Sequence, residues 1–202
     1  MDLKTFRFEL SCVYKTIHFD PAGFFREKAA DPSMIHTFLA NTEPLLEQLR
    51  SNNDQELFFV RGAIGNLCRI IGPSEKALTL LKENLEYALA QDAKKNEIIS
   101  FIRLGEAYKY NHKHADAIRL FDNALLKCGM YEEVEYLDFA NQHKGKCLLE
   151  MGIYPEAIEN LKAALKIRMK KKDEQLIYST KQVLELAEKL GNKPTKNQKR
   201  SP

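Results

Sequence analysis

The sequence predicts an all-α protein built of antiparallel helix hairpins, and three observations predict it. Gly65, Gly105 and Gly145 stand 40 residues apart in a chain with only nine glycines. Ala77, Ala117 and Ala157 repeat at the same interval, each followed by Leu78, Ile118 or Ile158 and then by Leu81, Phe121 or Leu161. Between the apolar runs lie turn residues suited to ending one helix and starting another: Gly72-Pro73-Ser74 and Gly152-Ile153-Tyr154-Pro155.

The middle copy, IISFIRLGEAYKYNHKHADAIRLFDNALLKCG over residues 98–129, carries the pattern most fully. Leu104-Gly105 is followed by Tyr108, Ala117, Phe121 and Ala124. A glycine and an alanine facing each other across a helix crossing allow close backbone approach, with the large side chains filling the space around them. On these residues the chain resembles the tetratricopeptide repeat (TPR) family. The resemblance implies a right-handed solenoid of stacked hairpins, with helices about a turn longer than the family's usual repeat of roughly 34 residues. Arg61 and Asn84 in the first copy, and Asn141 and Lys144 in the third, depart from its apolar positions.

The elements follow in order. Over residues 1–19, Leu3, Phe6, Leu10, Val13, Tyr14 and Ile17 fit one helical face, while Phe6, Phe8, Leu10, Cys12 and Tyr14 alternate as a strand would. Helix is favoured, because nothing else in the chain offers a strand partner. Asp20-Pro21 and Asp31-Pro32 each read as an N-cap with proline at the first helical position, and Pro44 is expected to interrupt or restart the second helix. Residues 1–53 thus read as an N-terminal helical cap, whose many phenylalanines either cover the exposed end of the first hairpin or line a pocket for a peptide or partner. Ser51-Asn52-Asn53-Asp54 supplies a polar break and the next N-cap. Helix pairs are expected at 54–71 with 74–91, 94–110 with 114–128, and 131–151 with 154–171. A capping helix follows at 173–190, and 191–202 reads as a disordered basic tail.

Charge and cysteines narrow the function classes. Net charge is +3, but the last twelve residues hold four cations and no acid, which leaves the rest of the chain at −1. A surface built to grip phosphate backbones carries a larger surplus, so nucleic acid is not the expected principal partner. Cys12, Cys68, Cys128 and Cys147 are scattered small apolar fillers of the kind found in reducing compartments. The N-terminus lacks the apolar core of a signal peptide and no run is long enough to span a bilayer, so a cytoplasmic protein without a membrane partner is expected.

The chain carries few marks of chemistry. Phosphate-loop and dinucleotide glycine motifs are absent, as is a nucleophile elbow, so no cofactor and no catalytic group are assigned. His112 and His114 flank Lys113, an adverse neighbour for a metal. Glu132, Glu133 and Glu135 read as a solvated helix start.

What remains is surface. In the resembled family the first helix of each pair lines a concave groove. Carried onto this sequence, the partner-binding positions are Asn66 and Arg69; Arg103, Glu106 and Tyr110; and Gln142, His143, Lys146 and Glu150. Of the family's chaperone-tail clamp only Asn66 matches, so that ligand is not expected. The resemblance implies a non-catalytic protein- or peptide-binding adaptor or regulator, similar to bacterial peptide-sensing regulators. Two other readings stand beside it. One is a regulator or enzyme working through the N-terminal helices, with Arg26, Glu27 and His36 as its test positions. The other is nucleic-acid contact through Arg168, Lys170, Lys171, Lys172 and the tail.

Overall fold

A computed structural model describes residues 1–51 and 55–192. Its described residues are mostly helical. Helix α1 (Leu3–Tyr14) leads into a β-hairpin of β1 (Ile17–Asp20) and β2 (Arg26–Ala29), and α2 (Pro32–Arg50) follows. Three helix pairs come next: α3 (Gln55–Ile70) with α4 (Glu75–Ala90), α5 (Lys94–Tyr110) with α6 (His114–Met130), and α7 (Leu137–Glu150) with α8 (Tyr154–Lys171). Helix α9 (Glu174–Gly191) closes the described chain. Each helix from α2 onward packs on its successor, while α3 also touches α5, α5 touches α7, and α7 touches α9. No helix is long and apolar enough to cross a membrane.

The periodic glycines are steric requirements. A Cβ on Gly65 would fall 2.8 Å from Leu81 Cγ, one on Gly105 2.6 Å from Phe121 Cε1, and one on Gly145 2.8 Å from Leu161 Cγ. The glycine therefore seats the large residue four positions beyond the alanine, rather than the alanine itself. Ala77, Ala117 and Ala157 are each fully buried beside that seat. The departures from the repeat pattern are absorbed by polar bonds: Asn84 Nδ2 donates to the Phe58 carbonyl at 2.9 Å, Arg61 pairs with Glu83, and Lys144 pairs with Asp122.

Four expectations are corrected. The favoured helix over 1–19 ends at Tyr14, and Ile17–Asp20 is a strand paired antiparallel with Arg26–Ala29 in the register Ile17↔Ala29 and Asp20↔Arg26. The partner strand, Arg26-Glu27-Lys28-Ala29, has no apolar alternation to announce it. Asp20-Pro21 starts only a 3-10 turn, Pro21–Gly23, after which Phe24 and Phe25 both take left-handed backbone conformations that end it. Such conformations cost a bulky residue roughly 1–2 kcal/mol. They are held because Phe24 and Phe25 pack into the far end of the molecule with Leu148, Leu149 and Val183.

Pro44 does not interrupt α2, which runs unbroken from Pro32 to Arg50. The carbonyl that a proline deprives of its hydrogen bond is that of Ala40, an exposed residue that water can serve. Helix α7 begins at Leu137 rather than 131, because Tyr131–Tyr136 forms a turn with Glu132 in a left-handed conformation. The expected N-cap at 52–54 and the tail from 193 lie outside the described residues.

The N-terminal phenylalanines divide by role. Phe6 and Phe38 lie in the same buried cluster as Leu57, Ile64 and Leu81, with Phe6 edge-on to Phe59 at 5.9 Å. They cover the first helix pair, whereas Phe24 and Phe25 belong to the last.

Candidate functional site

Helices α3, α5 and α7 together form a wall, and the repeat spacing brings one polar face of each onto it. All nine sequence-predicted positions meet there. Asn66 Oδ1 accepts from Arg69 Nε at 2.8 Å, Arg69 Nη1 lies 3.6 Å from Glu106, and His143 Nδ1 lies 3.0 Å from Glu106. The Arg69 guanidinium lies 4.7 Å from the centre of the Tyr110 ring. Gln142, His143 and Lys146 line a second small cavity of about 180 Å³. Glu150 ends the row on α7.

The wall is not bare. The β-hairpin lies on it, and the bonds run largely to hairpin backbone. Tyr110 Oη accepts the Glu27 N–H at 2.6 Å and donates back to the Glu27 carbonyl at 3.3 Å. Lys146 Nζ donates to the Phe25 carbonyl, and Arg26 Nη2 donates to the Lys109 carbonyl at 3.2 Å. Two charge pairs flank these: Arg26 with Glu150 at 2.6 Å, and Glu27 with Arg69.

Sequence reasoning missed Lys109, whose side chain is fully buried with Nζ 2.8 Å from Glu106 and 3.9 Å from Glu150. The signal was there, since Glu106 and Lys109 are an i, i+3 opposite-charge pair on one helix face. Arg26 and Glu27 entered only as test positions for an N-terminal activity, because nothing local says that residues 26 and 150 meet. His36, the third such position, is exposed on α2.

The electrostatics follow from burial. Five cations gather here: Arg26, Arg69, Arg103, Lys109 and Lys146. Three carboxylates answer them: Glu27, Glu106 and Glu150. Burial would raise the Glu106 pKa, but His143, Lys109 and Arg69 together hold it well below the usual carboxylate range. Burial also outweighs the attraction of Glu106 at His143 and lowers the pKa of that ring. Lys146 is pushed down to about 7 by burial and by the charge of Lys109. The wall thus holds more positive than negative charge, and part of that surplus is relieved by deprotonating Lys146.

Between the hairpin and the α5 and α7 side chains a cavity of about 330 Å³ remains open. Ile99, Ile102, Tyr136 and Phe139 give it an apolar side, while Asn66, Arg69, Arg103, Glu27, Glu106 and His143 give it a polar one. The basic run near the end of α8 is partly spent inside the protein. Arg168 is buried against Asp138 at 2.9 Å and Thr180 at 2.6 Å, and Lys171 reaches Asp138 at 2.5 Å. Among the described residues no three His, Cys, Asp or Glu side chains gather where they could hold a metal ion. No family model matches the chain, and no curated protein sequence matches it.

Proposed function

We propose that this chain is a non-catalytic interaction protein of tetratricopeptide type. Its helix pairs stack as a right-handed solenoid, and it works in the cytoplasm by holding an extended segment of a protein partner on the α3–α5–α7 wall. One observation supports the reading: two positions that the repeat register nominates for the groove hold main chain of the protein's own hairpin, Tyr110 at the extended Glu27 and Lys146 at Phe25 in the turn. Tyr110 and Lys146 bind the hairpin's main chain, while Arg69 and Glu150 fix its flanking charges. Main-chain bonds supply sequence-tolerant affinity and the charge pairs supply register, which is the division of labour in strand recognition.

The hairpin is then a resident occupant whose place a partner segment takes. A ligand can only shift such an equilibrium by its differential affinity for the open state. Weakening the hairpin should therefore raise the apparent affinity of a partner. The test compares proteins that co-purify from the native cell with the parent chain, with Glu27→Lys, and with Asn66→Ala combined with Arg103→Ala. A partner whose yield rises with Glu27→Lys and falls with the wall variant supports the reading. Partners indifferent to both would refute it.

A further inference from the structure

The open cavity contains a cation that the hairpin does not use. Arg26 is answered by Glu150, Arg69 by Glu27 and Glu106, Lys109 by Glu106, and Lys146 by the Phe25 carbonyl. Arg103 makes no hydrogen bond and no ion pair with any described residue, although it is partly buried and lines the cavity. Its guanidinium has a prepared place: a Cβ on Gly62 would fall 2.5 Å from Arg103 Nη1, so the bare glycine of α3 is what admits it. Burial lowers the Arg103 pKa and the nearby charge of Arg69 adds to it, only partly offset by the phenols of Tyr14 and Tyr136, and no carboxylate contributes.

A guanidinium partly withdrawn from water with no protein acceptor loses some hydration without gaining a partner, and a planar carboxylate can supply two parallel hydrogen bonds. Arg69 Nη1 lies buried beside it without a hydrogen bond of its own and offers a further donor. Glu27 and Glu106 also line the cavity and would repel a dianion, which favours a singly charged group. Ile99, Ile102, Tyr136 and Phe139 line the same cavity and supply an apolar surface, in a volume at the small-molecule end of ligand sites.

We propose that this cavity binds a small amphipathic monocarboxylate, its carboxylate on Arg103 and its apolar body against Ile102, Tyr136 and Phe139. The same chemistry occurs in a free aryl or alkyl carboxylic acid and in a peptide ending in an apolar residue. The site shares Arg103 with the wall of the partner reading, but its readout, direct binding of small carboxylates to the full chain, holds or fails whether or not a partner segment displaces the hairpin.

The test is calorimetric titration of the full chain with benzoate, 3-phenylpropionate and octanoate. The carboxamide of 3-phenylpropionate serves as the uncharged control, and a pentapeptide ending in phenylalanine is tested with a free or an amidated terminus. At least one acid should bind, with the amide weaker by about tenfold or more. Arg103→Gln should weaken the acid by a similar factor without changing the helical signal or the melting temperature, because the native arginine has no protein partner to lose. Arg103→Lys should fall between the two, as a point charge lacking the planar fork. A free-terminus peptide that binds more tightly than the acid assigns the carboxylate to a chain end, and the reverse order assigns it to a free acid. The site is refuted if none of the three acids binds, if acid and amide bind alike, or if Arg103→Gln binds as the parent does.

Discussion

The phenolic oxygen of Tyr110 accepts the backbone N–H of Glu27 at 2.6 Å, across 83 residues of chain. Tyr110 ends α5, the first helix of the middle pair, and Glu27 sits in a strand that ordinary sequence signals do not mark. This contact ties the one β-element among the described residues to the helices that the 40-residue period organises. It also bears on the fold's energetics, since a two-stranded hairpin is marginal by itself. What keeps this one in place is the wall beneath it.

Tyr110→Phe should therefore loosen the hairpin without disturbing the helix pairs. The change leaves the ring and its contact with Arg69 intact while removing one acceptor and one donor from the Glu27 backbone. The expected cost is about 1–2 kcal/mol. Chemical denaturation should show this loss with the helical signal of the native state unchanged.

The periodic glycines predict a contrast in sign. Gly105→Ala would place a Cβ against the Phe121 ring and should cost about 1–3 kcal/mol through overpacking. Gly129→Ala, inside α6 with nothing within 4 Å of the added methyl, should instead stabilise by about 0.5–1 kcal/mol. Paired melting curves check both, and equal shifts would contradict the assigned packing.

Lys146 predicts a pH dependence. Below pH 7 it is charged in the folded and the unfolded chain, and above its ordinary 10.5 it is neutral in both. Between those values the unfolded chain holds a proton that the folded one has released, so stability rises with pH, by up to about 1.4 kcal/mol per unit. Comparing the parent with Lys146→Met between pH 7 and 8.5 isolates the group. The variant should show a shallower slope, and identical slopes would contradict a buried, deprotonating lysine.

The helix pairs were legible because helix packing leaves a short-range imprint. Gly105 and Phe121 are 16 residues apart, and the need for a bare backbone beneath a large ring recurs in each copy. That the nine positions share one wall was legible for the same reason, since their register relative to Leu104-Gly105 fixes the helix face on which they stand. The hairpin was not legible. Its second strand is polar, its turn relies on two phenylalanines in left-handed conformations, and its stability comes from Tyr110, Lys146 and Glu150, which no local pattern links to residues 25–27. The open cation was half legible: Arg103 was named as a groove residue, but only the structure shows that Glu27 and Glu106 are taken by Arg69 and leave Arg103 without an acid.

The account rests on the wall's grip on extended backbone, and amide hydrogen exchange at Glu27 in the full chain tests that grip most directly. Its N–H points to Tyr110 Oη, so protection there reports the wall rather than the hairpin's own strand pairing. The predicted result is slow exchange in the parent, comparable to the interior of α5, and a return toward open-chain rates in Tyr110→Phe. Open-chain exchange at Glu27 in the parent, with α5 still protected, would contradict it.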